Sequence, residues 1–180
     1  QALVATIGAT TDADLSTISG NISMSAVFDQ TITFTGDLDS KSAVVNDGVA
    51  LTAAAAKLTG ETIDDASGAQ GTVNVTALDA TATADLSNIT THSVTAAVSD
   101  DVTFTGDLGT AVVTVADNKT LTAAYAKLTG KTINHDGSED NQALVATIGA
   151  TTDADLSTIS GNISMSAVFD QTITFTGDLD

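Results

Sequence analysis

The chain has 180 residues, with 23 acidic against 5 basic side chains, a formal charge of −18, and neither Cys nor Pro. Its only cations besides two histidines are Lys41, Lys57, Lys119, Lys127 and Lys131. That excludes a nucleic-acid partner, which needs clustered Lys and Arg to displace counterions, and it disfavours an anionic membrane surface. Without Cys there are no disulfides and no thiolate metal sites. No apolar run approaches the ~20 residues of a membrane span, so no membrane insertion is expected.

Hydrophobic residues make up 42% of the chain but aromatics only 3%. The core must therefore be built mostly from Ala, Val, Ile and Leu, which favours a thin interior between closely spaced walls. The density of Val, Ile and Thr argues against disorder despite the acidity.

In chain order, the first clear element is Thr31-Ile32-Thr33-Phe34-Thr35. Its alternation of apolar residues with Thr is the period-2 pattern of a half-buried strand. Asn46-Asp47-Gly48 supplies a turn. Leu51 to Leu58 is ambiguous, because its alanines favour a helix while its length favours a strand; a strand is expected, with Ala where a thin core has least room. After the turn at Asp64-Asp65-Ala66-Ser67-Gly68 come strand patterns at Thr72–Thr76, Val102–Thr105 and Ala111–Val115. His135-Asp136-Gly137-Ser138 is the last turn before residues 142–180.

Residues 1–39 recur letter for letter as 142–180. Inside that period lies a half-period: Ala13-Asp14-Leu15-Ser16 returns at Ala84–Ser87 and Ala154–Ser157, and Phe34-Thr35-Gly36-Asp37-Leu38 at Phe104–Leu108 and Phe175–Leu179. Leu51–Gly60 matches Leu121–Gly130 except that Ala55 becomes Tyr125. The chain divides into unit A at 1–71, unit B at 72–141, and the start of a further unit A at 142–180, so it reads as a window on a longer array with targeting information outside it.

A finer rhythm runs through Leu38, Leu58, Leu78, Leu108, Leu128, Ile148 and Leu179. Its spacing implies about three coils per unit, one carrying an excursion that holds Ala-Asp-Leu-Ser as a third strand or a lateral flap. The expected fold is therefore all-β: a β-solenoid (β-helix) of ~70-residue tandem repeats of about three coils each. A string of β-sandwiches of about 70 residues each is the alternative, weakened by the lack of Trp. Aligning strands on the Leu anchors places Asp37 beside Lys57 and Asp107 beside Lys127, as cross-strand pairs. The same alignment puts Val73 and Val75 out of phase with Phe104.

Catalytic chemistry finds little support. His92 and His135 lie in polar turns, neither recurs in the other unit, and no nucleophile elbow, P-loop or Gly-x-Gly-x-x-Gly is present. No enzyme is expected. Calcium is the one cofactor to consider, with Asp47, Asp64, Asp65, Asp100, Asp101, Asp136 and Asp140 as candidate oxygen ligands in turns; their spacing matches neither an EF-hand nor a calcium-binding β-roll. Five Asn-x-Ser/Thr sequons are explained by a composition rich in Asn and Thr.

On its repeated Phe-Thr-Gly-Asp-Leu, Ala-Asp-Leu-Ser and Ala-Lys-Leu-Thr-Gly segments, the chain resembles the long β-strand-repeat surface proteins of bacteria, which include giant adhesins and secreted fibre or layer proteins. The resemblance implies export, an extracellular or cell-surface location and a scaffold role. The expected function is structural: an extracellular filament, sheath or surface layer whose partner is itself, by head-to-tail stacking and lateral packing. The alternatives are the stalk of a large repeat adhesin, or a calcium-dependent or surface-binding module. Regular Thr rows are too few for ice binding, and a polysaccharide-lyase reading lacks basic groups.

Overall fold

The computed structural model describes residues 2–9, 11–19, 23–66, 68, 70–137, 141–150 and 153–179. The alternating runs form strands: β1 (Ala2–Ile7), β2 (Ser23–Phe28), β3 (Ile32–Phe34), β4 (Ser42–Val45) and β5 (Ala50–Ala54). A one-turn helix, α1 (Ala55–Leu58), precedes β6 (Ile63–Asp65). Unit B repeats the order with β7 (Thr72–Thr76), β8 (Ser93–Val98), β9 (Val102–Phe104), β10 (Val112–Val115), β11 (Thr120–Ala124), α2 (Tyr125–Leu128) and β12 (Ile133–His135). β13 (Ala143–Ile148) and β14 (Ser164–Phe169) belong to the repeated segment. The alanine run thus splits. Its first half is a strand, as expected, and its second half is a single helical turn closed by the Thr59 N–H on the Ala55 carbonyl at 2.9 Å.

The strands assemble into three sheets: β1-β2-β4-β6, β3-β5-β7-β8-β10-β12 and β9-β11-β13-β14. Every pairing is parallel, and the step along the chain between paired strands is short, from Ser25 with Ser42 at the least to Thr120 with Ala143 at the most. The six-stranded sheet takes β3 and β5 from residues 1–71 and its other strands from 72–141, so the two units share hydrogen bonds rather than closing on themselves. β2 ends at Phe28 and β3 begins at Ile32, yet they lie in different sheets, so the corner at 29–31 is sharp.

Parallel sheets are ordinarily sandwiched between helices that cover both faces. Here the helices have one turn each, and burial alternates along the strands, as in Val112–Val115 and Ala143–Ile148. The inner faces must therefore cover one another, and one hydrophobic cluster draws residues from all three sheets. Along the β3-β5-β7-β8 ladder, Phe34, Ala53, Val75 and Ala96 occupy one register position, large beside small. The small neighbours leave the Phe34 ring room to meet Phe28 edge-to-face at 5.4 Å.

The Leu anchors are buried from Leu38 to Ile148. They are not, however, the register of the ladder. The in-phase positions are Ile32, Leu51, Val73 and Val94, so Val73 and Val75 do face the core with the Phe residues, and the apparent phase conflict disappears. The expected Asp37–Lys57 pair is not among the ion pairs of the described residues, which are Lys41–Asp39 and Lys119–Asp100. Lys57 sits in the one-turn helix α1 instead of in a strand.

Candidate functional site in the turns and sheet edges

The two repeated motifs of the sequence bind each other. The Asp37 N–H donates to the Ala13 carbonyl and the Leu15 N–H to the Asp37 carbonyl, at 2.9 and 2.8 Å. Asp107 repeats this with Ala84 and Leu86, and Asp178 with Ala154 and Leu156. The Ala-Asp-Leu-Ser segment is therefore neither a full strand nor a flap; it is a short parallel rung that buries Leu15, Leu86 and Leu156. Glycine is required beside it. A Cβ on Gly36, Gly106 or Gly177 would lie 2.0, 2.0 or 1.9 Å from the carbonyl oxygen of Ala13, Ala84 or Ala154. The acidic residue of the motif folds back on its own turn: Asp14 accepts from the Ser16 N–H and hydroxyl, and Asp85 from the Ser87 N–H. The Ser hydroxyls, with those amides, hold both carboxyls below their ordinary range.

The calcium candidates serve the backbone of neighbouring turns. Asp47 accepts from the Gln70 N–H at 2.9 Å, Asp65 from the His92 N–H at 2.8 Å, and Asp101 from the Thr120 N–H at 2.8 Å. Asp64 accepts from the adjacent Asp65 N–H, Asp100 pairs with Lys119, and the Asp136 carbonyl accepts from the Gln142 amide. Asp140 lies outside the described residues. Among the described residues no three carboxylate or imidazole groups gather as a metal site. Asp79, absent from the candidates, does the same work toward the Ser99 N–H at 2.7 Å. The signal for this role is a turn Asp one period from a corner N–H. That can be read only once the period between paired strands is known.

Of the histidines, His92 is exposed as expected, while His135 ends β12 and is half-buried. An outward polar ladder also went unread in the sequence: Thr95 donates to the Asn74 side-chain oxygen at 2.9 Å, and the Asn74 amide reaches Thr52 at 3.4 Å.

The units differ where each hands on to the next. In unit A the Thr59 hydroxyl and the Gly60 N–H bracket the Asp85 backbone at 2.9 and 2.8 Å. In unit B the Tyr125 hydroxyl takes that place, accepting from the Asp155 N–H at 3.0 Å and donating to the Asp155 carbonyl at 3.3 Å. The Gly130 N–H then moves on to the Thr158 carbonyl, and Gly161 presses against the Ile133 carbonyl. A single change from Ala55 to Tyr125 thus goes with a shifted rung register.

Among the described residues, large exposed hydrophobics occur only toward the two ends. Leu3, Val4 and Ile18 lie at one end, and Met165, Val168, Phe169 and Leu179 at the other. β1 and β14 are also terminal strands of their sheets.

Fold and site together define an all-β protein of parallel sheets whose turn side chains tie one rung to the next. No family model matches the chain, and neither a curated protein nor a solved structure matches it. No helix among the described residues is long and apolar enough to cross a membrane.

Proposed function

We propose that the chain is a β-solenoid segment serving as a structural protein of an extracellular filament, sheath or surface layer, assembled by axial stacking of its repeats. One observation carries the reading: the parallel ladders advance in chain order by a short and nearly even step, without interruption where residues 1–71 meet 72–141. Such an order is what successive coils on one axis produce. The ladder runs from Phe34 through Ala53, Val75, Ala96 and Val113 to Ile133 in five steps. A unit of about 70 residues therefore holds about three and a half coils, and rungs about 4.8 Å apart make it rise about 17 Å. The charge of −18 supports lateral repulsion that cations relieve.

Electron microscopy and fibre diffraction on the purified array test this. The expected result is a filament with an axial rise of about 17 Å per unit and a strong meridional spacing of about 4.8 Å. Separate globules joined by loose linkers would overturn the fold assignment, and discrete particles under all ionic conditions would overturn the filament role.

A further inference from the structure

Units A and B receive the excursion that follows them, the stretch carrying Ala-Asp-Leu-Ser, in two registers. On unit A the Gly60 N–H donates to the Asp85 carbonyl and the Ile63 N–H to the Asn88 carbonyl, at 2.8 and 3.1 Å. Gly130 and Ile133 stand in the same places of unit B, but their N–H groups reach the Thr158 and Ser160 carbonyls, at 3.0 and 2.8 Å. On the shared Ala-Asp-Leu-Ser frame, Asp85 matches Asp155, Asn88 matches Thr158 and Thr90 matches Ser160. The contact of Gly130 has therefore slid three residues along the excursion, and that of Ile133 two.

Two side-chain differences account for the slide. Between Leu51–Gly60 and Leu121–Gly130 the one change is Ala55 to Tyr125. Ala55 is fully buried, which leaves the Asp85 N–H within reach of the Thr59 hydroxyl. In unit B the Tyr125 hydroxyl takes the matching Asp155 N–H and carbonyl, and the Thr129 hydroxyl turns back to the Tyr125 carbonyl at 3.1 Å. The slid register then brings position 161 against the corner. A Cβ on Gly161 would lie 1.8 Å from the Ile133 carbonyl oxygen, and its φ of 130° is one that side chains disfavour. Unit B's own excursion carries Thr91 in that place, and its Cβ does not fit such a gap.

We propose that Tyr125 and Gly161 form a register lock, through which the corner of unit B, residues 125–133, accepts the excursion of a unit A and refuses that of a unit B. Tandem units that resemble one another can pair out of turn, and a slip by one unit would set Thr91 against the Ile133 carbonyl. The lock excludes that pairing. Order matters because successive units exchange sheets: β8 and β10, which match β2 and β4, lie in the sheet of β3 and β5. The inference rests on the stacked-coil reading and adds to it what keeps the coils in sequence.

Tyr125→Ala in the full chain makes residues 121–130 identical to 51–60 and supplies the test. Because unit A folds with alanine in this place, the variant should fold, and the Gly130 N–H should move from the Thr158 carbonyl to the Asp155 carbonyl. NMR couplings across the hydrogen bonds read that change directly. Retention of the Thr158 partner, or a variant that fails to fold, overturns the proposal.

The second measurement places Gly161→Ala in both backgrounds and follows native-state hydrogen exchange at the Ile133 N–H, which is bonded in either register. With Tyr125 present, the substitution should speed exchange at least about tenfold, because the new Cβ meets a backbone oxygen. With Tyr125→Ala it should speed exchange about threefold or less, since position 161 then takes the place that Thr91 holds on unit A. Equal effects in the two backgrounds are what independent sites give, and they overturn the lock. Equal effects with the fibre spacing of about 4.8 Å intact remove this inference alone, whereas separate globules remove the stacked-coil reading as well.

Discussion

Residues 2–7 and 143–148 have one sequence and two environments. As β1 the segment is exposed along most of its length, and as β13 it alternates half-buried and buried, because β11 covers one edge and β14 the other. The next strand shows the reverse: Phe28 in β2 is fully buried, while its duplicate Phe169 in β14 is 43% exposed. β3 forms on the support of β5, whereas the same residues at 173–175 form no strand. Yet Phe169 still meets Phe175 edge-to-face at 5.2 Å, as Phe28 meets Phe34. Local sequence therefore fixes the corner and its aromatic contact, and a neighbouring rung decides whether the strand is part of the core.

The duplicated segment makes paired substitutions the sharpest way to break that comparison. Gly36→Ala should cost about 4 kcal/mol, because the new Cβ meets a backbone oxygen that no side-chain movement can clear. Gly177→Ala faces the same clash beside residues 173–175, which form no strand, and should cost less. Urea unfolding of the two variants measures the gap, and equal costs would mean that the Asp155–Asp178 bridge is as firmly held as Asp14–Asp37.

Phe28→Ala should remove about 3–4 kcal/mol, against under about 1 kcal/mol for Phe169→Ala. Leu144→Ala against Leu3→Ala reverses which copy matters, with about 2–3 kcal/mol lost at the buried Leu144 and little at Leu3. Hydrogen exchange should place the loosening from Leu144→Ala at β11 and β14, the two neighbours of β13.

The smallest effect extends the comparison from copies to units. Glu61 in unit A corresponds to Lys131 in unit B, and Lys131 reaches the Gly109 carbonyl. Glu61 has instead a buried Oε2 without a hydrogen-bond partner among the described residues, and burial raises its carboxyl above the ordinary 4.5. A raised folded-state value means that its contribution is most favourable below pH 4.5 and is lost as pH rises through the folded value. Glu61→Gln should therefore raise the melting temperature slightly at pH 7 and leave it unchanged at pH 4. A stabilisation equal at both pH values would assign the effect to packing.

Much of the fold was legible because it is local. Alternation with Thr marked β3, β7, β9 and β10; Asn-Asp-Gly marked a corner; and the recurring Leu residues from Leu38 to Leu128 lie in the core. The errors of register share one physical origin, since the step between paired strands varies, from Ser25 with Ser42 to Thr120 with Ala143, and no local pattern states the count. Aligning on Leu38, Leu58 and Leu78 misjudged the phase because Phe34, Ala53 and Val75, which share a rung position, stand at unequal distances before those anchors. The same miscount paired Asp37 with Lys57. The turn carboxylates were recognised as a group, but their partners, the corner N–H groups of the next rung, needed the spatial path of the chain.

By itself the sequence determined the repeat of residues 1–39 at 142–180, the strand character of its Thr-rich runs and a core made mostly from Ala, Val, Ile and Leu. These follow from side-chain size and period, which act over short stretches of chain. Only the tertiary structure decided that Gly-Asp-Leu rests on Ala-Asp-Leu, that sheets pass from one unit into the next, and that identical strands are core in one place and edge in another. Those outcomes depend on which distant backbone arrives within hydrogen-bonding reach.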